Sequence, residues 1–160
     1  MARRGEPGAQ RSNGIRPGLK HFYRPTWTVP AWKEFVLGHI MGTAVQVCCG
    51  GSRIGIARID VTLEAPGVNV LADAIHLPLK DSCADTVCCD PPYELPFDRR
   101  VAVQRELFRI ARQRVIFKAP WIPRGRGWKL MKAVLLCSHT CQNVAVLSVI
   151  EALPEEANLF

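Results

Sequence analysis

Asp90-Pro91-Pro92-Tyr93 directly follows the apolar run Ala84-Asp85-Thr86-Val87-Cys88-Cys89. Consecutive prolines fix φ at about −65° and push the preceding residue toward extended backbone, so this segment is stiff before any ligand arrives. Neither proline has an N–H. The Asp90 carboxylate and a proline carbonyl can therefore accept hydrogen bonds from a planar amino group, while Tyr93 offers a π-face to an aromatic ring. The chemistry on offer is recognition of an exocyclic amine. An ordinary Asp-Pro turn followed by a packed tyrosine has the same sequence, and only the surrounding residues separate the two readings.

The tetrapeptide resembles the catalytic loop of S-adenosylmethionine-dependent amino-methyltransferases, in which Asp/Asn/Ser-Pro-Pro-Tyr/Phe/Trp follows the fourth strand of a Rossmann-like sheet. The resemblance covers roughly residues 43–120. It implies an α/β fold in a single domain and a loop that holds the amino nitrogen of a base against the cofactor's methyl group. Asp90, Pro91, Pro92 and Tyr93 are then the catalytic residues, and Asp90 also borders the cofactor.

Upstream segments continue the pattern. Thr43 to Cys48 reads as a buried strand running into Cys49-Gly50-Gly51-Ser52, where missing side chains let a ligand approach the backbone. By itself such a turn says little, since any tight turn can use it. Ile54 to Ile59 ends at Asp60, which the resemblance assigns to the ribose hydroxyls. Gly67 to Ala72 ends at Asp73-Ala74, and the stretch Asp73-Ala74-Ile75-His76-Leu77-Pro78 resembles the family segment beside the adenine, making Asp73 an acceptor for its amino group. Each carboxylate alone also reads as a solvated strand-end residue. Open α/β sheets, however, bind ligands beyond the carboxyl ends of their strands, where Gly50, Asp60, Asp73 and Asp90 would all lie. His76, flanked by Ile75 and Leu77, reads as a partly packed imidazole and not as a base.

The chain departs from the family in one place. Only Ser52 to Ile59 separate Gly51 from Asp60, whereas a parallel crossover normally needs about a dozen residues or more. A helix and a strand do not both fit, so the expectation is a trimmed Rossmann-like sheet lacking its first helix.

The remaining elements follow from periodicity. Pro30 to Gly38 reads as a helix with Thr28 near its cap, and Asp98 reads as the N-cap of a second helix reaching about Arg112. Val103, Leu107, Ile110 and Ala111 form its apolar stripe, while Arg105, Arg109 and Arg112 form a basic one that either tracks phosphates or is solvated. Val115 to Pro120 reads as a fifth strand. Lys132 to Cys137 is helix or strand, and Asn143 to Ile150 is a last strand. Between them Trp121 to Lys129 interleaves aromatics with cations, and Trp121, Arg124 and Arg126 join Tyr93 as candidate substrate contacts for a flipped or single-stranded base. A hairpin whose tryptophans pack inward is the alternative.

The 160 residues suit one compact domain, and a net charge of +7 favours an acidic polymer as partner. Residues 1–20, with Arg3, Arg4, Arg11, Arg16 and Lys20 among glycines and prolines, read as a flexible basic tail preceding a methyltransferase domain over 21–160, and residues 151–160 as loosely held. No signal-peptide core or long apolar run is present, so a soluble, cytoplasmic protein with no membrane partner is expected. Adjacent cysteines point to opposite faces of a strand, so the pairs Cys48-Cys49 and Cys88-Cys89 chelate poorly. No metal is expected, a zinc site at Cys137, His139 and Cys141 being the minor alternative. No separate recognition region follows the catalytic loop, leaving room for a homodimer or an accessory recognition subunit.

Taken together, the sequence reads as an enzyme that uses S-adenosylmethionine to methylate an exocyclic base nitrogen, first adenine N6 in DNA. A ribosomal or transfer RNA base (adenine N6, cytosine N4 or guanine N2) is the alternative. A non-catalytic nucleic-acid-binding module with the same fold is the reading of another class.

Overall fold

The computed structural model describes residues 30–48, 52–63, 67–137 and 144–154. In chain order these form α1 (Pro30–His39), β1 (Ala44–Val47), β2 (Ala57–Asp60), β3 (Val70–Leu71), β4 (Ala84–Cys89), α2 (Phe97–Ile110), β5 (Ala111–Ala119), β6 (Trp128–Cys137) and β7 (Val144–Ala152). The basic tail, the glycine turn at 49–51, the 138–143 segment and residues 155–160 lie outside the described residues. All seven strands join one sheet in the order β3-β2-β1-β4-β5-β7-β6. Strand β7 runs antiparallel to both β5 and β6, and every other pairing is parallel.

Strand alternation divides the core into two clusters. Val45, Val47, Ile59, Val87, Cys89, Val115 and Phe117 face α2, whose Val103, Leu107 and Ile110 are buried against them. Cys88, Ile116 and Leu147 point the other way and meet Val36 of α1 and Ile54. The split between Cys88 and Cys89 is what period-two geometry requires. Helix α2 begins at Phe97 with Pro96 as its N-cap, two residues earlier than the sequence reading, so Asp98 is not its cap but lies in its first turn. There its carboxylate still faces the positive end of the helix dipole. The helix also stops at Ile110, because Ala111 is already extended and starts β5. Lys132 to Cys137 is strand, part of a ten-residue β6.

No helix occupies the described part of the β1–β2 link. Ser52 to Ile56 instead run back along β1: the Ile54 N–H donates to Gln46 Oε1 at 3.2 Å and the Ile56 N–H to the Ala44 carbonyl at 3.0 Å. The arithmetic explains why this works. Four strand residues span about 13 Å at 3.3 Å each, which five extended residues cover but which a helix rising 1.5 Å per residue would need about nine to cover. Gly55 makes the close approach possible. Its φ is +77°, and a Cβ there would lie 2.5 Å from the Ala44 carbonyl oxygen.

Candidate active site

Strand order reverses between β1 and β4, and the carboxyl ends of β1, β2, β3 and β4 line one rim of the sheet. The expected residues reach that rim as follows. Cys49, Gly50 and Gly51 lie outside the described residues. Ser52 is buried, and its hydroxyl donates to Gln46 Oε1, so it fastens the return segment to β1. Asp60, half-buried, ends β2, and its Oδ1 accepts the Val61 N–H at 2.8 Å. Asp73, beyond β3, accepts the Ile75 N–H on Oδ1 at 3.2 Å and pairs through Oδ2 with Arg99 of α2 at 2.5 Å. Ala74 beside it is buried.

Asp90 leaves β4 on the same side as Cys88, and in the parallel register Cys89 is opposite Phe117, so the next pair is Asp90 and Lys118. Lys118 Nζ lies 3.2 Å from Asp90 Oδ2, with side-chain exposures of 3% and 7%. The Tyr93 hydroxyl donates to Asp90 Oδ1 over a long 3.4 Å, and the Lys118 ammonium sits 5.6 Å from the Tyr93 ring centroid. Burial, reinforced by the Asp90 charge, pushes the Tyr93 phenol well above its ordinary range, so it is a neutral donor at any physiological pH. Pro91 is buried and Pro92 exposed. From behind, Arg100 clamps the loop by donating to the carbonyls of Leu95 at 2.7 Å and Tyr93 at 3.2 Å.

Lys118 was absent from the sequence reading of the site. A lone lysine inside the apolar run Val115 to Ala119 was the available signal, since a buried ammonium requires a partner. Which partner depends on the β4–β5 register, which no local pattern specifies.

In the β5–β6 link the tryptophans take the inward-packed alternative, although β7 lies between the two strands so the link is not a hairpin. Trp121 packs on Phe117 with ring centroids 5.8 Å apart, and the Arg100 guanidinium lies 4.4 Å over its ring. Trp128 opens β6 and packs on Phe108 at 4.9 Å. Both rings therefore turn inward. Arg124 and Arg126 are exposed, Arg124 lining a groove that Trp121 shares with Phe97, Arg100, Val101, Gln104 and Ile122. His76 is exposed and not partly packed. In the expected basic stripe Arg105 is exposed, but Arg109 is bonded to Glu106, Asp81 and the carbonyls of Leu77 and Leu79, and Arg112 to Asp85 and the Ser82 carbonyl. Those two arginines hold the β3–β4 crossover to α2 and β5.

No protein-family model and no curated sequence matches the chain. Solved structures do match its backbone. Magnesium protoporphyrin IX methyltransferase from Synechocystis PCC 6803, with bound S-adenosylmethionine, aligns with a TM-score of 0.56 at 13% identity, over 91% of this chain and 86% of that one. The fold is that of S-adenosylmethionine-dependent methyltransferases. A second such protein, from Methanosarcina mazei, aligns at a TM-score of 0.51 and 11% identity over 76% of this chain and 98% of its own. TrmN from Thermus thermophilus gives 0.53 and 16% over 75% and 47%. Within this fold the described part of the β1–β2 link, residues 52–56, is an extended return and not a helix. Among the described residues no helix is long and apolar enough to cross a membrane.

Proposed function

We propose that the chain is an enzyme that transfers the methyl group of S-adenosylmethionine to an exocyclic amino nitrogen of a nucleic-acid base, adenine N6 in DNA being the first candidate. The observation that carries this reading is Asp90, first residue of an Asp-Pro-Pro-Tyr loop at the end of β4, held by a buried ion pair to Lys118 of β5 beside the reversal of strand order. The cofactor is supported by the donor set at the same rim. Carboxylates at the ends of β2 and β3 each offer about four lone-pair sites, the acceptors that ribose hydroxyls and an adenine amine require. Asp60 and Asp73 would hold those groups, with Ala74 against the ring. When bound there, S-adenosylmethionine supplies a methyl group already activated for in-line displacement.

The residues of the loop do the rest by orientation. Lys118 engages Asp90 Oδ2 and directs Oδ1 into the loop, where the long Tyr93 contact is one a substrate N–H can replace. A second N–H donates to the Pro91 carbonyl. An aromatic amine delocalises its lone pair into the ring, and two accepted N–H bonds draw the nitrogen toward sp³ geometry and aim that lone pair; the proton that the methylated nitrogen must shed would leave along the bond to Asp90 Oδ1 and on to water. Tyr93 stacks on the base, and the largest rate contribution comes from near-attack alignment. The net charge of +7 suits a polyanionic substrate.

The test is incubation with methyl-labelled S-adenosylmethionine and either DNA or total RNA, followed by digestion and mass spectrometry of the nucleosides. Label on an exocyclic amine is expected, and Asp90→Ala should abolish it, as should the charge-balanced Asp90→Leu/Lys118→Met, which leaves no buried ammonium unpaired and so separates lost chemistry from lost stability. Wild-type turnover by either variant would end this mechanism.

A further inference from the structure

Helix α2 has two functional faces. Val103, Leu107 and Ile110 are buried against the sheet, whereas Phe97, Arg100, Val101 and Gln104, spaced i, i+3, i+4 and i+7, share a second face. Trp121, Ile122 and Arg124 close that face into a groove of about 360 Å³, within the usual range for ligand sites of about 300–1,000 Å³. Phe97 is 79% exposed in the first turn of the helix, where it contributes nothing to the core. The charged residues lining the groove are both arginines, and no carboxylate lines it. Arg100 joins the groove to the reaction loop: its guanidinium covers Trp121 and donates to the carbonyls of Tyr93 and Leu95.

Building on methyl transfer to a nucleic-acid base, we propose that this groove is the subsite for the nucleotide flanking the target base in a single-stranded segment. Phe97 is its stacking surface and Arg124 its phosphate contact. The sequence pointed to Trp121 as the stacking ring, but Arg100 already covers a face of it, and the ring left in solvent beside the loop is Phe97. An exposed aromatic surface beside the held Arg100 and the exposed Arg124 is what a base and its phosphate together require, and stacking tolerates any base. The polymer is thereby gripped next to the reacting base.

The test is anisotropy of a fluorescein-labelled single-stranded oligonucleotide of about eight nucleotides, with no S-adenosylmethionine present. Phe97→Ala should weaken binding about five- to hundredfold, the loss of one base–aromatic stack, while Phe97→Trp retains it. Arg124→Ala should weaken binding of all sequences alike and flatten the salt dependence by about 0.7 in log–log slope. Phe97→Ala within twofold of wild type, or equal loss in the Ala and Trp variants, overturns the subsite. So does saturable binding of an acidic peptide by a protein that binds no oligonucleotide. Because the readout needs no turnover, the two readings fail separately. Oligonucleotide binding that depends on Phe97 without methylated nucleoside removes the reaction and keeps the groove. Methylation indifferent to Phe97 removes the groove and keeps the reaction.

Discussion

Replacing Lys118 by Met tests whether the pair at the centre of the site is an electrostatic unit. At 3.2 Å and an effective dielectric constant of 20, the Coulomb attraction of the two charges is on the order of 5 kcal/mol. Desolvating two ions that are almost entirely buried costs several kcal/mol each, so the intact pair is close to neutral for stability relative to an apolar pair. Removing one charge is different. Lys118→Met keeps the stem packing but withdraws the ammonium from the buried Asp90, a change expected to cost about 3–5 kcal/mol. The double variant Asp90→Leu/Lys118→Met should recover most of that. The assay is urea unfolding followed by tryptophan fluorescence, with the coupling taken from the cycle of both singles and the double. Lys118→Met within about 0.5 kcal/mol of wild type, or singles that simply add, would refute the coupling. Should Lys118→Met not fold, Lys118→Arg, which keeps the cation, should fold and retain part of the stability.

Three further outcomes are expected. The Arg109 guanidinium holds the Glu106 carboxyl below its ordinary value of 4.5, so the folded state binds that proton less tightly than the unfolded chain. Stability from this group is present above the unfolded value and is lost as pH falls from about 4.5 through the depressed one; Glu106→Gln should remove that part of the acid dependence in denaturant melts between pH 6 and about pH 3. Gly55→Ala should cost more than about 2 kcal/mol in unfolding free energy, combining left-handed strain with a backbone clash, and a smaller loss would show that the return segment can shift. Burial pushes the Cys88 thiol up to about 12, so iodoacetamide at pH 8 should spare it in the folded protein and label half-buried Cys48 and Cys83 before it. Mass spectrometry after short exposure reads the order, and early labelling of Cys88 would contradict its burial.

Much of this arrangement is legible in the sequence because its signals are local. The run from Ala84 to Cys89 marks β4 to the residue, and the 103, 107, 110 spacing gives the buried stripe of α2. Asp60 ends β2 and Asp73 lies two residues beyond β3, as apolar runs ending in an acid suggest. The missing helix is a matter of counting residues. What sequence does not carry is pairing at a distance. Lys118 meets Asp90 through a register between strands, and Arg109, one member of an apparent solvent stripe, is bonded to Asp81 only because the β3–β4 crossover folds over α2. The start of α2 lies two residues before the sequence reading because Asp98 is a good cap by type, yet Pro96 with its fixed φ already sets the helix entry. His76 misled for a similar reason, since apolar neighbours in a turn do not bury the residue between them.

The extended return between β1 and β2 also bears on the order in which the sheet assembles. Nine residues separate Val47 from Ala57, whereas a helical crossover of about 25 would raise the loop-closure term by about 0.9 kcal/mol. Parallel pairs are usually late partners because their ends must be brought together across long connections. Here the β1–β2 pair has hairpin-like chain separation, and hydrogen-exchange pulse labelling during refolding should find Ile59 protected before Val115, whose antiparallel partner Ile150 lies 35 positions on. Shortening the crossover has turned the slowest kind of strand pairing into one of the fastest this chain makes.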